Sequence, residues 1–203
     1  MSRNIIQPEG NYFNKFEDSN PIIKKIMRGY FAALKIIISH ITFDSIIDAG
    51  CGEGYVSNFL YQLTKKNMHA FDVSESVIKL AQAIYPQISF ATASIYNSRF
   101  ENNSFDLVTC LEVLEHLDYP EKALKELCRI SQKYLILSVP NEPIWRISNF
   151  VRGKYIKDFG NTPGHVNHWG QKAFLSLCQK YGSIVKIEKP FPWIMVLMEI
   201  NQK

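Results

Sequence analysis

Three glycines and two aspartates have the types and the spacing to bind a ligand. The glycines occupy positions 50, 52 and 54, directly after the apolar run SIIDA, which contains Asp48. Because glycine loses more conformational freedom on folding than any other residue, three in five positions indicate a sharp turn or a close approach to a ligand. A turn that opens a helix also presents unpaired N–H groups, which favour a carboxylate or phosphate. Asp72, at the end of the next apolar run, is placed to accept hydrogen bonds from the two hydroxyls of a ribose, and a helix cap beside Ser74 is its alternative role.

Three histidines are candidates for a general base, a role that suits imidazole near neutral pH. His116 lies in LEVLEHL, and His165 and His168 lie in NTPGHVNHWG. Packing is the alternative role for His116, and hydrogen bonding within the loop is the alternative for the other two. A metal site at His165 and His168 would need a third ligand, and no residue at a convincing spacing supplies one. We therefore predict no metal.

The elements that must position these residues alternate between strand and helix. Short apolar runs predict buried strands at SIIDA, MHAFDV, ISFATA, FDLVTCL and YLILSV. Helical spacing predicts helices over about 21–40, 53–66, 74–85, 120–131 and 170–181, with Asn20 and Ser74 as N-caps. This alternation indicates right-handed crossovers and a parallel sheet with helices on both faces. The final runs SIVKIE and WIMVLMEI are separated only by KPFP, which leaves no room for a crossover helix, so we predict an antiparallel pair.

Length and composition are those of one ordinary globular domain. The chain has 203 residues, of which 46% are hydrophobic and 21% charged. The net charge of +4 is mild and no run of five or more like charges occurs, so charge does not argue for a nucleic-acid partner. The four cysteines are scattered, and we find no secretory signal and no apolar run long enough to span a membrane. We expect a cytoplasmic protein without a membrane span.

The glycine motif distinguishes two classes of nucleotide-binding protein. The dinucleotide fingerprint G-x-G-x-x-G would place its third glycine at Tyr55, so NAD is disfavoured. IIDAGCGEG instead resembles the first motif of the class I S-adenosylmethionine-dependent methyltransferases. FDVSESVIKLAQ, FENNSFDLVTCLEVLEHLDYPEKALKELCRI and YLILSVPNE resemble the next three regions of that family in the same order, and the resemblance covers about residues 45–142.

The resemblance implies a fold and a cofactor. The fold is α/β, Rossmann-like and doubly wound, with a mostly parallel seven-stranded sheet, an antiparallel last strand and helices on both faces. The cofactor is S-adenosyl-L-methionine, with S-adenosyl-L-homocysteine as the product. We predict one domain over residues 1–203: a helical lid or lead-in (1–42), a cofactor-binding core (43–140), a substrate-side insertion (141–169) and a C-terminal helix and strand pair (170–203).

The resemblance also assigns roles to residues. Asp48 is expected to support the loop and the amino group of the methionine moiety, Asp72 to hold the ribose and Val73 to pack on the adenine. The other expected cofactor contacts are Gly50, Cys51, Gly52, Gly54, Ser94, Ile95, Leu111, Glu112 and Tyr12. Ser94 stands where the family often has an aspartate, so a backbone contact from Ile95 is the alternative there. Tyr12 either touches the methionine end from the lid or attaches the lead-in helix to the core.

The predicted function is methyl transfer from S-adenosylmethionine to an oxygen, nitrogen or carbon nucleophile of a small-molecule acceptor, by in-line displacement. An RNA or protein methyltransferase is one alternative, but dispersed basic residues and the lack of an appended nucleic-acid module disfavour it. A protein that binds S-adenosylmethionine without turnover is another. A dehydrogenase is the least favoured.

Overall fold

The structure is a computed structural model that describes residues 20–151, 161–162 and 164–201. The described strands are β1 (Ser45–Ala49), β2 (Asn67–Asp72), β3 (Ser89–Thr92), β4 (Phe105–Leu111), β5 (Ser131–Pro140), β6 (Gly182–Glu188) and β7 (Trp193–Ile200). The described helices are α1 (Pro21–Ile38), α2 (Tyr55–Thr64), α3 (Glu75–Ile84), α4 (Pro120–Ile130), α5 (Ile144–Val151) and α6 (Gln171–Gln179), with a short 3-10 turn at Leu114–His116.

Within the described residues the strands form one seven-stranded sheet, in the order β3-β2-β1-β4-β5-β7-β6. Strand β7 runs antiparallel to its neighbours β5 and β6, and the other neighbouring pairs are parallel. This confirms the predicted fold class and the antiparallel final pair. The strand order reverses between β1 and β4, and in such sheets the crevice beyond the carboxyl ends of the strands at that point is where ligands bind.

Local chemistry explains where the helices begin. The Asn20 side chain accepts a hydrogen bond from the backbone N–H of Ile22 at 2.9 Å, and the Ser74 hydroxyl caps α3, which confirms both predicted N-caps. Helix α2 begins at Tyr55, two residues later than predicted, because Gly54 occupies the left-handed region at the N-cap. The glycine turn therefore extends up to the first residue of that helix.

The two faces of the sheet are covered by different helices. Alternate strand residues point to opposite faces, as Ile46 and Ile47 do, and both are fully buried. Helices α1, α2 and α3 pack on the face that contains Ile46, and α4 and α6 pack on the face that contains Ile47. Full burial of each aliphatic side chain contributes roughly 1.5–3 kcal/mol. With both faces closed, the carboxyl edge of the sheet is the place left for a ligand.

Candidate cofactor and acceptor site

The glycine turn after β1 requires glycine for two separate reasons. Gly50, Gly52 and Gly54 all have positive φ angles, of 76°, 51° and 82°. A Cβ atom at Gly50 would also lie 2.6 Å from Cγ2 of Val113, and one at Gly54 would lie 2.8 Å from Cζ of Phe90. Backbone conformation and close packing therefore both exclude a side chain at these positions.

Backbone hydrogen bonds attach this turn to the end of β2. The N–H groups of Gly50 and Cys51 donate to the carbonyl oxygen of Phe71 at 2.8 and 3.1 Å. The N–H of Gly52 donates to Oδ2 of Asp72 at 3.0 Å. The structure thus brings together the glycine turn and the carboxylate that the sequence analysis placed at one site.

Asp72 organises the turn and also borders the crevice. Its Oδ1 accepts a hydrogen bond from the N–H of Ser74 at 3.0 Å, while Oδ2 accepts the bond from Gly52. A carboxylate oxygen has lone pairs for more than one donor, so both oxygens keep capacity for a ligand. Val73 beside it is 46% exposed, a large apolar side chain at the place predicted for the adenine ring. The ribose and adenine roles stay predictions.

Asp48 lies beneath the turn. Its side chain is 2% exposed and accepts hydrogen bonds from the hydroxyls of Ser57 and Thr109, each at 2.7 Å. Burial raises the pKa of the Asp48 carboxyl, and the two hydroxyl bonds partly oppose that rise. Asp48 therefore joins β1 to α2 and β4, as a support for the turn. Its predicted action on the amino group of the methionine moiety stays a prediction.

The predicted adenine end is formed by a turn after β3. The Ser94 hydroxyl accepts a hydrogen bond from the N–H of Tyr96 at 3.2 Å, and the Ser94 carbonyl accepts one from Asn97 at 3.1 Å. The Ile95 side chain is 9% exposed and packs in the core. Ser94 thus stabilises its own turn, and contacts of either residue with adenine stay predictions.

A buried polar network lies at the predicted methionine end, where β4 ends at the buried Leu111. Glu112 has a positive φ of 63°, and its Oε1 accepts a hydrogen bond from the Ser138 hydroxyl at 3.2 Å. Its Oε2 accepts one from Nε1 of Trp193. The Tyr30 hydroxyl of α1 completes the network with Ser138 at 2.8 Å. The sequence analysis missed Tyr30, Ser138 and Trp193, although the tendency of buried Tyr and Trp to seek a polar partner was a usable signal.

The three candidate bases fall into two groups. The rings of His116 and His165 lie 4.8 Å apart, nearly perpendicular to each other. Nδ1 of His116 lies 3.0 Å from the carbonyl oxygen of Gly164. His168 lies instead beside Glu142, with 3.6 Å between its Nδ1 and Oε1. The structure therefore unites two of the candidates and places the third beside another acid.

Glu115 joins His116 and His165, and the sequence analysis did not identify it. Its side chain is 1% exposed, and one ligand atom from each of the three residues lies within 4.8 Å of the others. The sequence analysis had considered His165 with His168 as metal ligands and found no third residue. The available signal was the adjacent Glu-His pair directly after a strand that ends at the crevice.

The insertion reaches this cluster by hydrogen bonds to the 3-10 turn. The N–H groups of Val166 and Asn167 donate to the carbonyl oxygen of Glu115 at 2.9 and 3.0 Å. The Asn167 amide also donates to the carbonyl oxygens of Leu117 at 2.6 Å and Leu114 at 3.2 Å. These bonds hold His165 against His116.

Aromatic side chains pack next to the cluster of Glu115, His116 and His165. Trp145 stacks on His165 with 5.8 Å between ring centroids, and it contacts Trp193 with 5.6 Å between centroids. Its Nε1 donates to the Thr162 hydroxyl at 2.9 Å. Tyr12 and the rest of residues 1–19 of the predicted lead-in lie outside the described residues. Among the helices that the structure describes, none combines the length and the apolar character needed to cross a bilayer.

Comparison with known proteins gives the family. Residues 47–136 match the family described as a methyltransferase domain. The matched segment of this chain is a methyltransferase domain that resembles the class I S-adenosylmethionine-dependent methyltransferases. The matched residues run from β1 into β5 and include the glycine turn, Asp72 and the Glu115–His116 pair. S-adenosylmethionine is the cofactor of this methyltransferase family.

Individual relatives resemble parts of this chain. A probable S-adenosylmethionine-dependent methyltransferase of Mycobacterium tuberculosis is 28% identical over 102 residues, which cover 49% of this chain and 37% of that protein. A mitochondrial ubiquinone biosynthesis O-methyltransferase of Candida albicans is 33% identical over 107 residues, covering 48% of this chain and 32% of that protein. The chain therefore spans less than half the length of these curated relatives.

A solved structure agrees with the fold of this chain. The magnesium protoporphyrin IX methyltransferase of Synechocystis, with S-adenosylhomocysteine bound, superposes with a TM-score of 0.66. The match covers 91% of this chain and 89% of that one, at 18% sequence identity. At that identity the likeness concerns the fold.

Proposed function

We propose that this protein transfers a methyl group from S-adenosylmethionine to an oxygen, nitrogen or carbon nucleophile of a small-molecule acceptor. One observation carries the proposal. The glycine turn lies where the strand order of the sheet reverses, between β1 and β4, and its Gly52 N–H donates a hydrogen bond to the carboxylate of Asp72. This is the edge of the sheet at which doubly wound proteins bind nucleotides.

The residues of the crevice fit the cofactor. A side chain at Gly50 would clash with Val113, so only glycine lets the turn take this conformation at the edge of the crevice. Asp72 offers acceptors to the ribose hydroxyls, and exposed Val73 offers an apolar surface to the adenine. When bound, S-adenosylmethionine supplies an electrophilic methyl group on a sulfonium centre.

The protein contributes chiefly by positioning. Holding two reactants in line is worth up to about 7–11 kcal/mol of the barrier, so little acid–base assistance is required. His116 and His165 are the histidines placed beyond β4, where a nucleophile that loses a proton would need a base. His168 lies beside Glu142, so we assign it a supporting role in the insertion.

A small acceptor is favoured by the character of the insertion. Among the described residues, Trp145, Trp193 and His165 form an aromatic cluster in which Trp193 and His165 are buried. The exposed side chains of α5 include Ile144, Ile147 and Phe150, which suit an acceptor with an apolar part. The relative from Candida albicans is an O-methyltransferase of ubiquinone biosynthesis, and its similarity supports the same acceptor class.

We also propose that residues 1–203 form a single domain, with residues 141–169 as the substrate-side insertion. We propose as well that the protein acts in the cytoplasm. The described sheet joins strands of the predicted cofactor-binding core (β1–β5) and of the C-terminal strand pair (β6 and β7) in one continuous sheet. The four cysteines are all free thiols, as expected of a reducing compartment.

Calorimetry with three nucleotides tests the cofactor. We expect the purified protein to bind S-adenosylmethionine and S-adenosylhomocysteine with dissociation constants near 1 μM, about −8 kcal/mol, and NAD far more weakly. Transfer of a labelled methyl group to a panel of phenols, amines and activated carbon acids then tests the reaction. A preference for NAD would refute the assignment, and tight binding without transfer to any acceptor would favour a non-catalytic binding protein.

A further inference from the structure

We propose that Glu115, His116 and His165 bind one divalent transition-metal ion at the acceptor end of the crevice, and that this ion holds a hydroxyl oxygen of the acceptor. The role of the ion in holding the acceptor rests on the proposed function, whereas the ion site itself does not. It narrows the acceptor from any nucleophile to a hydroxyl compound.

The donor set is suited to such an ion. One carboxylate oxygen and two imidazole nitrogens are ligands that Mn²⁺, Fe²⁺, Co²⁺ and Zn²⁺ accept. The three donor atoms lie within 4.8 Å of one another. Two donors about 2.1 Å from one ion lie roughly 3 to 3.4 Å apart, so small side-chain rotations would close the site.

The orientation of His116 is that of a metal ligand. Its Nδ1 faces the carbonyl oxygen of Gly164 at 3.0 Å, and a carbonyl only accepts, so Nδ1 carries the hydrogen in this contact. In this tautomer the lone pair of the ring is on the other nitrogen, Nε2, which lies 4.0 Å from Oε1 of Glu115. Metal-bound histidines characteristically donate their second N–H to a backbone carbonyl in this way.

Burial and charge point to a cation at the same place. Glu115 is 1% exposed and His165 is 8% exposed. A metal ion can serve as a charge partner of a buried carboxylate. Asp48, Glu112 and Glu115 all contribute negative potential at buried Tyr30, whose pKa is raised first by burial and then by these carboxylates. A dication would neutralise part of this charge.

The cluster is adjacent to the cofactor turn. Val113, whose side chain packs against Gly50, precedes Glu115 by two residues. An ion with three protein ligands keeps positions open for another oxygen. Coordination lowers the pKa of a hydroxyl, which then releases its proton to water. The oxygen lone pair forms the new C–O bond as the C–S bond breaks, and its electrons return to sulfur as the neutral thioether.

Manganese binding tests the site without any turnover. The full chain is stripped with a chelator, dialysed and titrated with Mn²⁺ while the electron paramagnetic resonance signal of the free ion is followed. We expect one ion per chain, and at least tenfold weaker binding by Glu115→Gln and His165→Ala. His40→Ala is the matched control, because His40 is an exposed histidine at the end of α1, at the opposite edge of the sheet. Equal binding by all four proteins would overturn the inference.

A second measurement uses only the unmodified chain, in case a variant fails to fold. Electron spin-echo spectra of the Mn²⁺ complex should show modulation from imidazole nitrogen. Binding without nitrogen coupling, or no stoichiometric binding, would refute the site. The variants are checked for folding by their affinity for S-adenosylhomocysteine, which should stay within about twofold of the unmodified protein.

Turnover then separates this inference from the proposed function. With a hydroxyl acceptor, we expect chelation to abolish methyl transfer, Mn²⁺ to restore it in the unmodified protein, and His165→Ala to lower the restored rate at least tenfold. Full activity after chelation would end the metal inference and leave the methyltransferase proposal intact. Specific Mn²⁺ binding without transfer to any acceptor would keep the ion site and refute the proposed reaction.

Discussion

The cofactor side and the acceptor side of the crevice are built in different ways. On the cofactor side, the Gly52 N–H donates a hydrogen bond to the Asp72 carboxylate. The two residues are 20 positions apart in the sequence and follow neighbouring parallel strands. On the acceptor side, the Asn167 amide donates a hydrogen bond to the Leu117 carbonyl oxygen. These residues are 50 positions apart, and the bond joins the insertion to the end of the 3-10 turn. The first side depends mainly on backbone conformation, and the second on docked side chains.

This difference has a consequence for substitution. A backbone-built site fails when any side chain forces the turn to open, since no rotamer can relieve a clash with φ fixed in the left-handed region. A site built from docked side chains can lose one contact and keep the fold. Changes on the cofactor side should therefore abolish binding, while changes on the acceptor side should alter turnover and local stability.

The largest effect is expected for Gly50→Ala. The new Cβ would lie 2.6 Å from Cγ2 of Val113 at a φ of 76°, so we expect S-adenosylhomocysteine affinity to fall at least a hundredfold. Gly29→Ala is the matched control, because a Cβ there meets nothing within 4 Å and Gly29 lies within helix α1. That variant should gain about 0.5–1 kcal/mol in free energy of unfolding and keep its affinity. Calorimetry and urea unfolding measure both; normal binding by Gly50→Ala would contradict a backbone-built turn.

Asp72→Ala should have the next largest effect. It removes the acceptor proposed for the ribose hydroxyls and the partner of the Gly52 N–H, so we expect at least tenfold weaker binding of S-adenosylhomocysteine. Asp44→Ala removes an exposed carboxylate that pairs with Lys66 at the surface, and it should bind normally. If both variants keep full affinity, Asp72 is only a cap for its own turn.

Asn167→Ala tests the acceptor side. It leaves the carbonyl oxygens of Leu114 and Leu117 without the amide donor, which should cost about 1–3 kcal/mol of unfolding free energy. Turnover should fall several-fold, while S-adenosylhomocysteine affinity stays within about twofold. Val166→Ala changes an exposed neighbour in the same segment and should be silent. A loss of cofactor affinity in Asn167→Ala would show that the two sides are not independent.

The smallest effect concerns Asp48 and pH. Because its folded-state pKa is raised, the folded protein holds a proton that the unfolded chain has lost, so its contribution to stability falls as pH rises above the unfolded pKa. Asp48→Asn cannot titrate. We expect the free energy of unfolding of the variant to improve relative to the unmodified protein as pH rises above about 4, the unfolded pKa of an aspartate. Urea unfolding of both proteins at each pH measures this difference, and a constant difference would contradict the raised pKa.

Much of the fold followed from short-range patterns. The runs FDLVTCL and WIMVLMEI form strands with the predicted ends, and Asn20 and Ser74 cap the helices they were expected to cap. Apolar periodicity and cap chemistry act over a few residues, so the sequence displays them directly. Gly50 is the clearest case within the site, because its left-handed φ is a property of one residue.

The sequence by itself determined the succession of strands and helices along the chain, the antiparallel final pair and the glycine turn beside Asp72. Only the tertiary structure decided that Asp48 points inward, that Tyr30 reaches Ser138 across 108 residues, and that Glu115 shares a cluster with His165. These contacts depend on how separate elements dock. No local periodicity encodes docking, because the partners are chosen by shape, burial and charge after the strands and helices have formed.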